Sequence, residues 1–320
     1  MSFSTVNQIL RRLSPLFFVL AFIFIGLLIT NHWTELVAQE WRLHWGWLFA
    51  GIGLMLISWS VEISIWRYLL GKLGGRLGYW SAVRIWFLSA VVRYVPGNIW
   101  QPLGMTLLCR RHGIQTEAVL LSIVLLQVIT LLSVLLVAAG YQLISGKLSS
   151  LTGEMGIALD WLAGLSIALV LLFVLLPAWF FRLLNWLLVK LGRNPLPMAL
   201  SSLQLLVLLL VGMGFWLLWG LTFASFTFAT VVLSPQQMSA NFMRIVAAFP
   251  IAYTVGYLSF ITPSGLAVRE GALYLLLAPV LGGGPTTVAA LAIRLWQVIL
   301  EVVVAGAVGL WSKARGRDIG

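Results

Sequence analysis

The chain carries a single cysteine, Cys109, in 320 residues. An intramolecular disulfide is therefore impossible, and no cysteine-based metal centre can form. Charge is scarce too. Charged residues make up 9% of the chain, against roughly 25% in soluble domains. Only nine residues are acidic, which ranks an ion-coupled carrier with acid-rich sites at depth last among the transport readings. There is no Walker motif, so an ATP-driven pump is excluded. Ser264 in Pro-Ser-Gly is not a Gly-x-Ser-x-Gly nucleophile elbow. His32, His44 and His112 fall in predicted loops, away from any carboxylate pair at depth. No catalytic residue, metal or cofactor is expected.

Apolar sequence is what the chain has in excess. It is 61% hydrophobic with a mean hydropathy of +1.02. Leu13–Ile29, Trp45–Ile65, Val119–Ala139, Trp161–Phe181 and Leu203–Phe223 approach or reach the roughly 20 residues a membrane-spanning helix needs, with few or no charges. A β-barrel would alternate over segments of about 10 residues, and no such alternation is present. The fold class is all-α, a polytopic transmembrane helical bundle. A formal net charge of +11 is explained by the Lys and Arg that cytoplasmic loops collect. No zinc-finger spacing or RNA-binding motif accompanies it, so no nucleic-acid partner is expected. The first apolar run, after Arg11-Arg12, reads as a retained signal anchor. Trp33, Trp41, Trp45, Trp80, Trp161 and Trp311 lie at predicted helix ends, as an interfacial aromatic belt does.

Charge placement sets an orientation for each segment. Helices are predicted at about Leu13–Thr30, Trp45–Trp66, Ala118–Tyr141, Trp161–Phe181, Leu200 onward to Leu233, and Thr286–Trp311. Ser234-Pro235-Gln236-Gln237 reads as an external loop. Between them lie two interrupted stretches. Ala82–Val95 and Ile99–Leu108 flank Pro96-Gly97-Asn98, with basic residues on both sides. Phe242–Ile261 and Ala272–Leu281 flank Thr262–Gly271. Each is predicted to enter and leave the membrane on one face, as a re-entrant hairpin. Fourteen of the 20 Lys and Arg then fall at cytoplasmic positions. Arg42, Lys147 and Arg244 fall outside, and Arg93, Arg269 and Arg294 lie at depth. The reading is six full spans plus two re-entrant hairpins. Both termini are expected in the cytoplasm of a cell whose inner membrane holds the chain. One membrane domain covers 1–320, with possible inverted halves at about 1–141 and 161–311. Paired interrupted segments of this kind point to the substrate site in transporters.

Two motifs carry a family resemblance across essentially the whole chain. One is Tyr94-Val95-Pro96-Gly97-Asn98 followed by Gly104. The other is Thr262-Pro263-Ser264-Gly265-Leu266-Ala267-Val268-Arg269-Glu270-Gly271. They resemble the membrane region of the lysylphosphatidylglycerol synthase, or flippase-like, family, which includes the flippase half of the multiple peptide resistance factor. The family's Pro-x-Gly-x-Gly-x-x-Glu pattern is met at Pro263, Gly265 and Glu270. It is not met at Ala267, where the family usually has Gly, and Ser264 stands where Gly or Ala is common. The resemblance implies lipid translocation between leaflets, with re-entrant helices lining the cavities. No soluble synthase domain is expected.

The candidate substrate-binding residues are Arg93, Arg269, Glu270, Arg294 and Glu301. An arginine at depth can take a phosphodiester bidentately. Arg269 and Glu270 could instead be a structural ion pair holding the break, and Arg93 could snorkel to the interface. Arg294 and Glu301 lie two turns apart on one helical face with Gln297 between them, open to a functional or a mutual structural role. Glu62, near Arg67, reads as a local or interfacial residue. Pro96, Gly97, Pro263 and Gly265 are expected to shape the hairpins. The expected partner is a membrane phospholipid or a polyprenyl-phosphate lipid. The alternative is a membrane component of cell-envelope or lipid-linked glycan assembly, working with an envelope-assembly enzyme.

Overall fold

In lipid, an apolar segment satisfies its backbone only through its own helical hydrogen bonds or a closed barrel. The computed structural model takes the first route. It describes residues 26, 30, 34, 43–90, 100–145, 159–190, 192, 200–258, 265 and 267–314. Among these the ordered elements are α1 (Trp45–Lys72), α2 (Tyr79–Ala90), α3 (Trp100–Arg110), α4 (Thr116–Ser145), α5 (Leu159–Leu175), α6 (Pro177–Lys190), α7 (Ser202–Thr230), α8 (Pro235–Leu258), α9 (Val268–Leu281) and α10 (Gly283–Ala314). Gly26 and Thr30, within the predicted first span, are helical as well; the rest of Leu13–Thr30 lies outside the described residues.

Five helices, α1, α4, α7, α8 and α10, are long and apolar enough to cross a membrane. In α1, α8 and α10 only 39% of the most apolar stretch is buried within the protein. The remaining apolar surface has lipid as its natural solvent, so the chain is a multi-pass membrane protein.

Two predicted segments differ in extent. The Trp161–Phe181 span is broken: α5 and α6 together are apolar enough to cross a membrane but are bent by 80°. Pro177 is the cause, because its ring disfavours helix at Leu176 and it has no N–H to donate. It sits at the first position of α6, where a missing donor costs nothing. The expected loop Ser234–Gln237 is instead the start of α8. Ser234 Oγ accepts from Gln237 N (3.2 Å), and Gln237 Oε1 accepts from Ser234 N (2.9 Å). This is a capping box with proline at the first helical position. It lengthens α8 to 24 residues, about 36 Å of helix. Ser201 and Gln204 start α7 with the same reciprocal pair.

The chain divides into two compact units: 1–56, 83–105 and 219–320 in the first, and 57–82 and 106–218 in the second. In the second, Trp66 Nε1 donates to Ser122 Oγ (2.9 Å), and Trp216 Nε1 donates to Thr130 O (2.7 Å). Ser133 Oγ lies 3.1 Å from Leu209 O on α7. Each bond gives a buried donor its partner, as a water-free interior requires. α4 packs along α5. In the first unit, α8 packs on α9 and α9 on α10. There Phe226 lies against Gly51 and stacks on Trp296, and Phe249 stacks on Trp219 and Phe223.

Candidate functional site

The site grows out of the turn into α9. Arg269 and Glu270, expected at a loop tip, lie in the first turn of this helix, because α9 starts at Val268. Ala267, its N-cap, has φ 69° and ψ −37°. It is the one non-glycine residue with positive φ among the described residues. Alanine has no side-chain acceptor, so only the returning half of a capping box forms: Glu270 Oε2 accepts from Ala267 N at 2.8 Å. A carboxylate here also meets the positive end of the helix dipole.

Glu270 is 1% exposed, and its other oxygen is taken as well. Arg294 Nη1 on α10 donates to Glu270 Oε1 at 2.6 Å. The partner of Glu270 is thus supplied by the next helix. Residues adjacent on a helix point about 100° apart, and Arg269 faces elsewhere. Its guanidinium lies 4.8 Å from the Phe249 ring and 5.4 Å from the Tyr253 ring on α8. Both Nη atoms lie 3.4 Å from Gln297 Oε1 on α10. A cation at a helix N-terminus opposes the dipole by about 0.3–1 kcal/mol. Two aromatic faces, each worth about 2 kcal/mol when desolvated, outweigh that. Glu301, two turns beyond Arg294 on α10, is buried at 1% exposure.

Glycine makes the approach of α8 possible. Gly265 has φ 65°, and a Cβ there would lie 2.8 Å from Gly256 C and O. A Cβ on Gly256 would lie 3.0 Å from Arg269 Cβ. Backbone therefore touches backbone beneath the Arg269 side chain. At the other end of the pair, Arg244 Nε donates to Leu276 O at 2.9 Å. The two contacts show α9 folding back antiparallel along α8. Arg244, which charge placement assigned outside, is half-buried and ties the two helices together. Pro250, inside α8, denies Val246 O its helical N–H. Gly220 of α7 covers that oxygen so closely that a Cβ would lie 2.2 Å from it.

The structure thus brings together Arg269, Glu270 and Arg294, with Glu301 further along the same helix as Arg294. Arg93, Pro96, Gly97 and Pro263 lie outside the described residues. Phe249, Tyr253, Gly256 and Gly220 escaped the sequence reading. The aromatic pair looked like ordinary span filler, and only their spacing of four, one helical turn, marked them as sharing a face. Among the described residues no cluster of three or more His, Cys, Asp or Glu is placed to hold a metal.

A family model described as the lysylphosphatidylglycerol synthase TM region matches residues 13–306. No curated protein and no solved structure matches the chain.

Proposed function

Because the chain belongs to the lysylphosphatidylglycerol synthase transmembrane-region family, matched over residues 13–306, we propose that it moves a phosphate-bearing lipid between membrane leaflets past the Glu270–Arg294 pair. The match is to the membrane region of that family, which fits a transporter and not a catalytic domain. Association with membrane lipid follows from the same membership. The finer reading is a phospholipid or polyprenyl-phosphate substrate in the cytoplasmic membrane, with both termini in the cytoplasm. The Arg93 and Pro263 turns would be the tips of two opposed re-entrant hairpins. α9 favours that arrangement: its 14 residues reach about 21 Å, short of a core of about 30 Å.

The observation that carries the site is the doubly engaged Glu270 carboxylate. Arg269, Arg294, Glu270 and Glu301 sum formally to zero charge. An arriving phosphate finds Arg294 already held by Glu270 and must take that guanidinium from its carboxylate. Arg294 is the one to exchange. It is the most exposed of the pair, at 17% against 1%, and its bond is to a carboxylate that keeps Ala267 N–H as a second partner. Arg269, held by two rings and Gln297, stays in place and offers its charge at short range. The acyl chains remain in lipid while the headgroup takes this polar route.

The test is dithionite-accessible fluorescent phospholipid, or a polyprenyl-phosphate probe, in proteoliposomes. Arg269→Ala and Arg294→Gln should each lower the rate at least about tenfold, since one lost charge-assisted contact is worth about 1.5–3 kcal/mol. Glu270→Gln should tighten binding of the probe yet slow its passage, because Arg294 is then released to hold the phosphate. Wild-type rates in all three variants would remove the site. No movement of any lipid class by the wild-type protein would remove the function.

A further inference from the structure

Three cations surround one cleft in the second unit, well separated in sequence from the Glu270 cluster. The cleft has a volume of about 770 Å³ and is lined by residues that include Ser64, Arg67, Tyr68, Lys72, Arg76 and Leu77. That volume lies within the usual range of small-ligand pockets. Among the described residues no carboxylate lines it. We propose that this cleft is a binding site for a phosphate monoester. The proposal does not rest on the transport reading.

The cleft is built, and its walls do not depend on a ligand. α1 ends in a Schellman motif: Gly75 N donates to Leu70 O (2.9 Å), and Gly74 N donates to Gly71 O (3.2 Å), with Gly74 at φ 87°. Gly75 is wedged so tightly that a Cβ would lie 2.8 Å from Leu70 Cγ and 2.9 Å from Ile114 Cγ2. The loop that carries Arg76 is thereby fixed. Arg67 Nε donates to Leu77 O at 3.0 Å. This orients an otherwise exposed guanidinium and leaves its two Nη groups as the donors it can offer. Lys72 Nζ lies 5.4 Å from the Tyr68 ring, on the same rim.

Charge then selects the ligand. Three cations contribute +3, and the C-terminal dipole of α1 offsets about half a charge. A phosphate monoester carries about −1.5 to −2 and matches the remainder better than a diester with a single charge. Guanidinium and hydroxyl donors both suit its three terminal oxygens. Position agrees: α1 has 28 residues, about 42 Å of helix against a core of about 30 Å. Its end therefore reaches the headgroup layer, and the next helix, α2, opens with the exposed Trp80 at its second position. The monoester can come from a lipid headgroup or from a soluble metabolite, and the experiment separates the two.

Full-length protein in phosphatidylcholine nanodiscs is titrated with dioctanoyl phosphatidic acid, followed by tryptophan fluorescence. Lys72→Gln/Arg76→Gln should bind about tenfold more weakly than wild type, as expected for two lost charged contacts. Arg67→Gln should weaken binding in the same direction. The charge-matched control Arg182→Gln/Lys190→Gln should bind like wild type. Equal loss in both double variants, or no loss in either, overturns the site. Phosphatidylglycerol binding as tightly as phosphatidic acid overturns the monoester assignment. If glycerol 3-phosphate binds as tightly as the lipid, the monoester is a soluble one. If only the lipid binds, the source is the membrane.

Discussion

Ala267 holds a left-handed backbone, φ 69°, that costs an L-residue with a Cβ roughly 1–2 kcal/mol. The returning bond from Ala267 N to Glu270 and the close packing of Gly265 on Gly256 keep the chain there regardless. Glycine relieves the strain, and it is the residue the resembling family usually has at this position. Ala267→Gly should therefore stabilise the fold by about 1 kcal/mol, read as a higher Tm in detergent. An unchanged or lower Tm would show that the alanine conformation is not strained. The sequence disclosed this position as a departure from a motif, and the φ angle supplies its physical content. Glu270 was legible for a similar reason, as a carboxylate in an apolar stretch. Its partner was not, because Arg294 lies 24 residues away and nothing local pairs them. Arg269 was equally visible as a charge, but its aromatic seat depends on how α8 crosses α9.

Helix boundaries show the same division between local and distant causes. α4 and α7 arise from long uniform apolar runs and lie close to where hydropathy puts them. The start of α8 was missed although its signal is local: Ser234-Pro235-x-Gln237 is a cap and not a loop once its reciprocal bonds are considered. The bend at Pro177 was missed as well, although a proline within a span is a local signal; its 80° size depends on the packing around it. Packing between helices depends on glycines whose meaning appears only with a neighbour in place. Gly212 and Gly220 both sit on α7, and a Cβ on either would meet an oxygen at 2.2 Å. For Gly212 that oxygen is Ser133 Oγ, and for Gly220 it is the backbone carbonyl of Val246. Side chains can be removed and carbonyls cannot. Gly212→Ala should be destabilising by about 1–3 kcal/mol, as overpacking is, and partly rescued by Ser133→Ala, which removes the oxygen and leaves Ser133 Cβ at 2.9 Å. Gly220→Ala should be at least as damaging and gain less from Val246→Ala, which removes the Cγ1 contact at 2.8 Å but leaves the carbonyl at 2.2 Å. Thermal melting of the two single and two double variants checks this, and equal rescue in both pairs would contradict it.

At the scale of the molecule, the all-α multi-pass class follows from composition alone, because few structures satisfy a backbone in lipid. Which side each loop faces rests on the charge rule, and α8 tests it most directly. α8 is long enough to cross outright, yet charge placement has it enter and leave with α9 on the external face. Cys109 is the chain's single cysteine and is buried, so engineered thiols can be read individually. In intact cells Ser239→Cys should react with an impermeant maleimide, while Arg76→Cys and Lys190→Cys should react only after the membrane is opened. Labelling of all three from outside would reverse or break the proposed topology.

The 80° bend between α5 and α6 has a mechanical consequence. Two rigid rods at that angle cannot both stand along the bilayer normal. If α5 crosses, α6 lies along one surface, with exposed Trp179, Leu183 and Trp186 on one face to sink among the acyl chains. Fourteen residues of helix, about 21 Å long and 10–12 Å across, then occupy area in one leaflet. The bend acts as a wedge, and a wedge prefers a curved membrane. Reconstituted protein should partition towards the smaller vesicles of a mixed population. Replacing Trp179 and Trp186 with Ser should abolish the preference, and sizing the vesicles after affinity capture decides it.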